Sequence, residues 1–148
     1  MSLERSVLLK RLKEYAKCFG CGPENPIGLK MNVAWDGQKA TAEFVPTEYH
    51  TGLPRVTHGG IVATLVDECM SYVPFLMGMD TVTGKLEIRF RNHLRPGEPV
   101  RIAAWISRRR GKTVETRATI HQRGGDTLLA EAYGLQFVVK EGEGSDRG

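Results

Sequence analysis

The chain has no long apolar run, only three cysteines and little excess charge, and each shortage excludes a class of protein. No apolar stretch approaches the ~20 residues needed to span a bilayer. The N-terminal stretch MSLERSVLLKRLKEYAK interrupts its apolar positions with charges, so it lacks the hydrophobic segment of a secretion signal. Three cysteines in 148 residues, an odd number, do not make a disulfide framework. These shortages lead us to expect a cytoplasmic protein with no membrane partner. The 21 Lys+Arg exceed the 17 Asp+Glu by only 4, which favours an anionic ligand without implying nucleic acid. Repeats, low-complexity blocks and linkers are absent, and the composition is not that of collagen, a coiled coil or a disordered chain. One globular domain remains, burying roughly 70% of its unfolded surface.

Leu3, Val7, Leu8, Leu12 and Tyr15 recur at helical spacing, predicting an N-terminal helix over 1–17. A single domain is expected over 18–140, followed by a polar, disordered tail over 141–148. The domain opens with CFGCGPENPIG, irregular by its Gly, Pro and Asn content. Two apolar runs, 29–35 and 39–45, flank Asp36-Gly37 and predict a hairpin. A second helix is expected from Gly59 to Phe75. Its Ile61, Val62, Leu65, Val66, Cys69, Met70 and Val73 cover most of the circumference, and Pro74 should kink or end it. Beyond it the period becomes two: Leu86, Ile88, Phe90; then Val100, Ile102, Ala104, Ile106; then Val114, Thr116, Ala118, Ile120; and finally 128–139. Short turns at Arg95-Pro96-Gly97, Arg110-Gly111-Lys112 and Gly124-Gly125-Asp126 join antiparallel neighbours. The sum is an α+β domain, one long helix wrapped by about six antiparallel strands.

Chemistry is densest where Thr57-His58-Gly59-Gly60 leads into the apolar helix that carries Asp67. Two glycines at a helix start allow close approach to the backbone, and first-turn N–H groups have no intrahelical partner. Such donors, with the helix dipole behind them, favour an anion or a developing oxyanion. Asp67 sits among Leu65, Val66, Cys69 and Met70, where an acid is costly unless it has partners or faces a site. It is a candidate general base or nucleophile. His58 and Asp67 lie roughly 13 Å apart along one helix, so they cannot touch the same carbonyl. A two-fold dimer with antiparallel central helices would bring the helix start of one subunit to the acid of the other. Read alone, His58-Gly59-Gly60 also serves as a tight turn, Asp67 as a cap for a neighbouring loop, and Glu68, about 100° round the helix, as a structural acid.

CFGCGPENPIGL, HTGLPRVTHGG, ATLVDE and the four-strand tail, together covering about residues 18–139, resemble the hotdog-fold acyl-CoA thioesterases, in particular the phenylacetate-type branch and its human mitochondrial relatives. The resemblance implies a hotdog fold and hydrolysis of an acyl-CoA to free acid and CoA. It implies no cofactor, a homodimer with composite sites, and a homotetramer as the commoner assembly. On this sequence it places the carbonyl-polarising N–H groups at Gly59 and Gly60, with His58 shaping that turn. Asp67 of a partner chain then activates water or attacks directly. The hydroxyl residue sixteen positions after the acid falls on Thr83, expected just before the third strand. Many phenylacetate-type members carry an Asn six residues before the histidine; here Gly52 stands there, with His50 two residues earlier as a possible replacement.

Cys18 and Cys21 form a CxxC, but no second CxxC or HxxxH completes a four-ligand zinc set, so no metal is expected. Isolated Cys69 reads as core. Arg89, Arg91, Arg95, Arg108, Arg109, Arg110 and Lys112 bring positive charge to strands and a hairpin. The phosphates of coenzyme A suit guanidinium donors, with Arg91, Arg109, Arg110 and Lys112 the chosen contacts. The rival for these cations is a solvated face with protected strand edges. Nucleic acid is excluded because no aromatics interleave them. Tyr72, Phe75, Met77 and Leu53 suit an apolar acyl chain and equally a core. Two other functions remain open, a hydratase of the same fold and a non-catalytic acyl-CoA-binding module.

Overall fold

Period-two alternation after the central helix requires a sheet with one buried face. The computed structural model, described for residues 12–141, contains it. The strands are β1 (Ala34–Trp35), β2 (Lys39–Phe44), β3 (Met79–Phe90), β4 (Val100–Arg110), β5 (Thr113–Gln122) and β6 (Leu128–Glu141). They form one antiparallel sheet in the order β1-β2-β4-β5-β6-β3. The one long helix among the described residues, α1 (Gly59–Leu76), lies against β2 to β6. This is the hotdog architecture that the sequence predicts. Residues 12–14 are helical and 15–17 form a turn, so the expected helix ends three residues early, and Glu141 closes β6 instead of opening the tail; residues through 11 and from 142 lie outside the described residues.

On β4 and β5 most inward positions are the predicted ones, whereas on β3 Leu86 and Ile88 are half-buried and Phe90 is 58% exposed. Val100, Ile102 and Ala104 on β4, and Val114, Thr116, Ala118 and Ile120 on β5, are buried. Val100, Ile102, Ala104, Ala118 and Ile120 share one core with Val62, Leu65, Val66, Cys69, Met70 and Val73 of α1, while Val114 packs with Met79 and Val138. Full burial of each large apolar side chain contributes about 1.5–3 kcal/mol relative to exposure. Gly134 on β6 makes room for this layer, since a Cβ there would sit 2.9 Å from Thr116 Oγ1 and 3.2 Å from Met70 Cε.

Three boundaries differ from the sequence reading. The first hairpin strand is only two residues long, because Leu29 and Met31 instead donate to Phe19 and Gly20 carbonyls at 2.8 Å. Helix α1 continues past Pro74 to Leu76, because the proline removes only the hydrogen bond to the Met70 carbonyl and the last half-turn still closes. Strand β3 begins at Met79, so Thr83 is inside it. Irregularities between Asp80 and Thr81 and between Thr83 and Lys85 break the period-two pattern and hide that half of the strand.

Candidate active site

His58 caps α1. Its backbone is extended (φ −59°, ψ 137°), and its Nδ1 accepts the Gly60 N–H at 2.8 Å. Its carbonyl accepts from Ile61 at 2.9 Å and Val62 at 3.2 Å. Three of the four first-turn donors are therefore occupied, including that of Gly60, which the sequence reading had left open. The Gly59 N–H makes no backbone hydrogen bond among the described residues. Neutral His58, with Nδ1 accepting, carries its proton on Nε2. Gly59 and Gly60 are both exposed.

The preceding loop holds the His58 ring in place. The His50 carbonyl accepts the His58 N–H at 2.8 Å. The His50 ring caps its own 3-10 turn (Glu48–His50), Nδ1 accepting the Thr47 N–H at 2.9 Å. A Cβ on Gly52 would sit 3.2 Å from His58 Cδ2, so Gly52 is packed against the histidine. Thr57 is 4% exposed, and its Oγ1 has no hydrogen-bond partner among the described residues. Thr57, Gly59, Phe90, Arg91, His93 and Arg95 share a groove of about 570 Å³ at this end of the helix.

Asp67 is half-buried on α1, and Thr83 Oγ1 donates to its Oδ1 at 2.8 Å. The bulge at Gly84 sets this geometry. Thr83 pairs with Gln136 and Lys85 with Leu135, leaving Gly84 as an extra residue whose Cβ would collide with the Phe137 ring. Gln136 is fully buried and donates through Nε2 to Ser71 Oγ at 3.0 Å, one turn after Asp67. Its Oε1 has no partner among the described residues. Neither Thr57 nor Gln136 was predicted. Gln136 announces itself as the one large polar residue among inward β6 positions; Thr57 carries no such signal.

Among the sequence-predicted cations, Arg91 is close to the helix start. It is already paired with Glu131, Nε and Nη2 each 2.7 Å from Oε2. Arg109, Arg110 and Lys112 are at the opposite end of the sheet in the same chain. Arg110 pairs with Thr113 in register, and Arg109 Nη2 donates to both Glu141 carboxylate oxygens at 3.0 and 2.9 Å.

Beside Asp67 the structure adds a second cluster. Cys18 Sγ donates to Glu68 Oε1 and Oε2 at 3.6 and 3.7 Å, and ligand atoms of Cys18, Cys21 and Glu68 lie within 4.8 Å of one another. Burial, then the Glu68 carboxylate, pushes the Cys21 thiol far up; burial likewise raises the Tyr72 hydroxyl. Cys69 is core as expected, its thiol pushed up to about 12, mainly by burial. Tyr72 and Phe75 line a cavity of about 140 Å³ next to the thiols, whereas Leu53 and Met77 are exposed.

Comparison with known proteins gives the geometry its context. The family model described as "Thioesterase superfamily" matches residues 55–129. Human acyl-coenzyme A thioesterase THEM5 is 29% identical over 106 residues, 70% of this chain and 43% of THEM5. The chain thus spans less than half the length of that curated relative. A Streptococcus mutans protein solved bound to acetyl CoA superposes with a TM-score of 0.71 at 18% identity, covering 76% of this chain and 91% of the other. Zebrafish thioesterase superfamily member 2 gives a TM-score of 0.72 at 20% identity, covering 89% and 98%. Likeness at these identities shows a shared fold.

Proposed function

The chain belongs to the thioesterase superfamily, and on that premise we propose that it hydrolyses an acyl-CoA thioester to the free carboxylic acid and CoA. The observation that carries the reading is the Thr83 hydroxyl donating to Asp67 Oδ1 at 2.8 Å. That bond fixes the carboxylate rotamer and leaves its other oxygen to take a proton. The name of THEM5 and the acetyl CoA bound to the Streptococcus mutans relative support the substrate class.

Asp67 acts as general base on a water that attacks the thioester carbon. The carbonyl oxygen becomes an oxyanion and accepts a hydrogen bond from the Gly59 N–H, at the positive end of α1. Rotation of His58 away from Gly60 would free a second donor. The intermediate collapses with cleavage of the C–S bond, and the thiolate leaves as CoA thiol after taking the proton held by Asp67. No cofactor is needed, because positioning and electrostatics do the work.

Gly59 and Asp67 are eight residues apart on one helix, roughly 12 Å along its axis. The proposed site therefore takes its donor from one subunit and its acid from the other. Strand β3 supports such a dimer. It is an edge of the sheet, twelve residues long, with Val82 and Phe90 more than half exposed. An unpaired edge of that length invites a second copy. Two-fold pairing centred on Glu87 would place the bulged Thr83-Gly84 step opposite the partner's Phe90, beside the partner's helix start. Arg91 and Arg95 then take CoA phosphates at the near end of the groove. Arg109, Arg110 and Lys112 contribute through the antiparallel partner.

The test is thiol release from acetyl-, hexanoyl-, palmitoyl- and phenylacetyl-CoA, corrected for the protein's own cysteines. Wild type should turn over at least one of them, and Asp67→Asn should lose at least ~10²-fold in kcat. Tight binding of an acyl-CoA without turnover by wild type would replace hydrolysis with a binding module.

A further inference from the structure

We infer that Cys18, Cys21 and Glu68 form a binding site for one thiophilic divalent cation of the zinc type, clamping the 18–31 loop to α1. This goes beyond thioester hydrolysis and does not depend on it.

The ligand set is assembled from two parts of the chain, a loop and a helix, with its donor atoms within 4.8 Å of one another. Zn–S bonds of about 2.3 Å and Zn–O bonds of about 2.1 Å at a tetrahedral angle put S and O roughly 3.6 Å apart. Cys18 Sγ and Glu68 Oε1 are 3.6 Å apart. Two thiolates and a carboxylate suit zinc, and a fourth position falls to solvent. The adjoining cavity of about 140 Å³, lined also by Ser71, Tyr72 and Thr81, has room for it. Binding would expel two thiol protons to solvent.

Both glycines of Cys18-Phe19-Gly20-Cys21-Gly22 serve this geometry. A Cβ on Gly20 would collide with the Glu68 carboxylate, and one on Gly22 with the Cys18 backbone and the Ala16 carbonyl. Gly20 lets the carboxylate lie over the loop, and Gly22 lets the chain fold back over Cys18. Backbone bonds fix the thiols: Gly22 N–H to the Cys18 carbonyl at 2.8 Å, Glu24 N–H to Ala16 at 2.9 Å, Met31 N–H to Gly20 at 2.8 Å. Glu68 has no ion pair among the described residues. The hydrogen-bond partners it does have are thiols. Spacing alone pointed away from metal because it counted two ligands and could not see that the helix supplies a third.

The experiment is titration of the reduced, chelator-treated full chain with Co²⁺, followed by Zn²⁺. One equivalent of cobalt should raise a thiolate-to-cobalt charge-transfer band and the intense visible bands of a four-coordinate ion, and one equivalent of zinc should abolish both. Cys18→Ser and Cys21→Ser should each lose at least about half of the charge-transfer band, the double variant should lose all of it, and Glu68→Gln should weaken cobalt binding at least ~10-fold. Absence of the band in reduced wild type overturns the proposal, and that measurement needs no variant to fold. Persistence of the band in the Cys18→Ser/Cys21→Ser double variant overturns it equally, by placing the ion elsewhere. Thioester hydrolysis is tested separately through Asp67→Asn, so either reading can fail alone.

Discussion

At the scale of single residues, the two glycines that open α1 have different jobs. The Gly60 N–H is bonded to His58 Nδ1, and a Cβ there would press on the same imidazole at 3.1 Å. The Gly59 N–H is the donor that the proposed mechanism gives to the oxyanion, and it can be removed cleanly. Proline is at home in the first position of a helix, where its missing N–H has no intrahelical role. His58 already has the extended backbone that a residue before proline requires. A Cβ at position 59 meets only the Phe90 ring, at an ordinary 3.7 Å. Gly59→Pro should therefore fold with an unchanged melting temperature and lose about 10²–10³-fold in kcat, while Gly59→Ala keeps most activity. Equal activity in the two variants would remove Gly59 from the mechanism. The sequence put forward the glycines and Asp67 as candidates, and the family resemblance added Thr83. It did not divide the work of the two N–H groups, because that depends on the rotamer of the capping side chain.

The element that converts this chemistry into geometry is β3. Its inserted Gly84 aims Thr83 at Asp67, and the Phe137 ring of β6 occupies the space a side chain at position 84 would need. Gly84→Ala forces the ring to move, and overpacking of this kind costs typically 1–3 kcal/mol. We expect that loss in denaturant unfolding, together with a fall in kcat as Thr83 shifts. Gly84→Ala with Phe137→Ala should recover much of the activity, because the obstructing ring is gone. If the double variant is no better than Gly84→Ala, the ring is not what holds the bulge. The sequence disclosed the other strands through alternation, and their turns through Gly97, Gly111 and Gly124, each at positive φ. In β3 the bulges scramble that alternation, so its first half was read as loop. The Cys18–Cys21–Glu68 cluster was hidden for a different reason. Its helix partner lies 50 residues from Cys18, and no local pattern reports so distant a pairing.

Across the whole molecule, the separation of donor and acid along α1 makes assembly part of the proposed mechanism. Gly59→Pro and Asp67→Asn should each be inactive as homodimers, one for want of a donor and the other for want of a base. In a heterodimer of the two, one composite site takes both defects and the other takes neither. Random assembly from equal amounts makes about half the dimers mixed, each with one sound site of two, so about a quarter of wild-type activity should return. Differently tagged chains, co-expressed and purified through both tags, isolate the heterodimer and should raise the figure to about half. A purified heterodimer that stays inactive would mean that donor and acid belong to the same chain. The helix start and the acid would then have to meet within one protomer, which their spacing along a rigid helix forbids. The Gly59 N–H, and not the dimer alone, would have to be given up as the oxyanion donor.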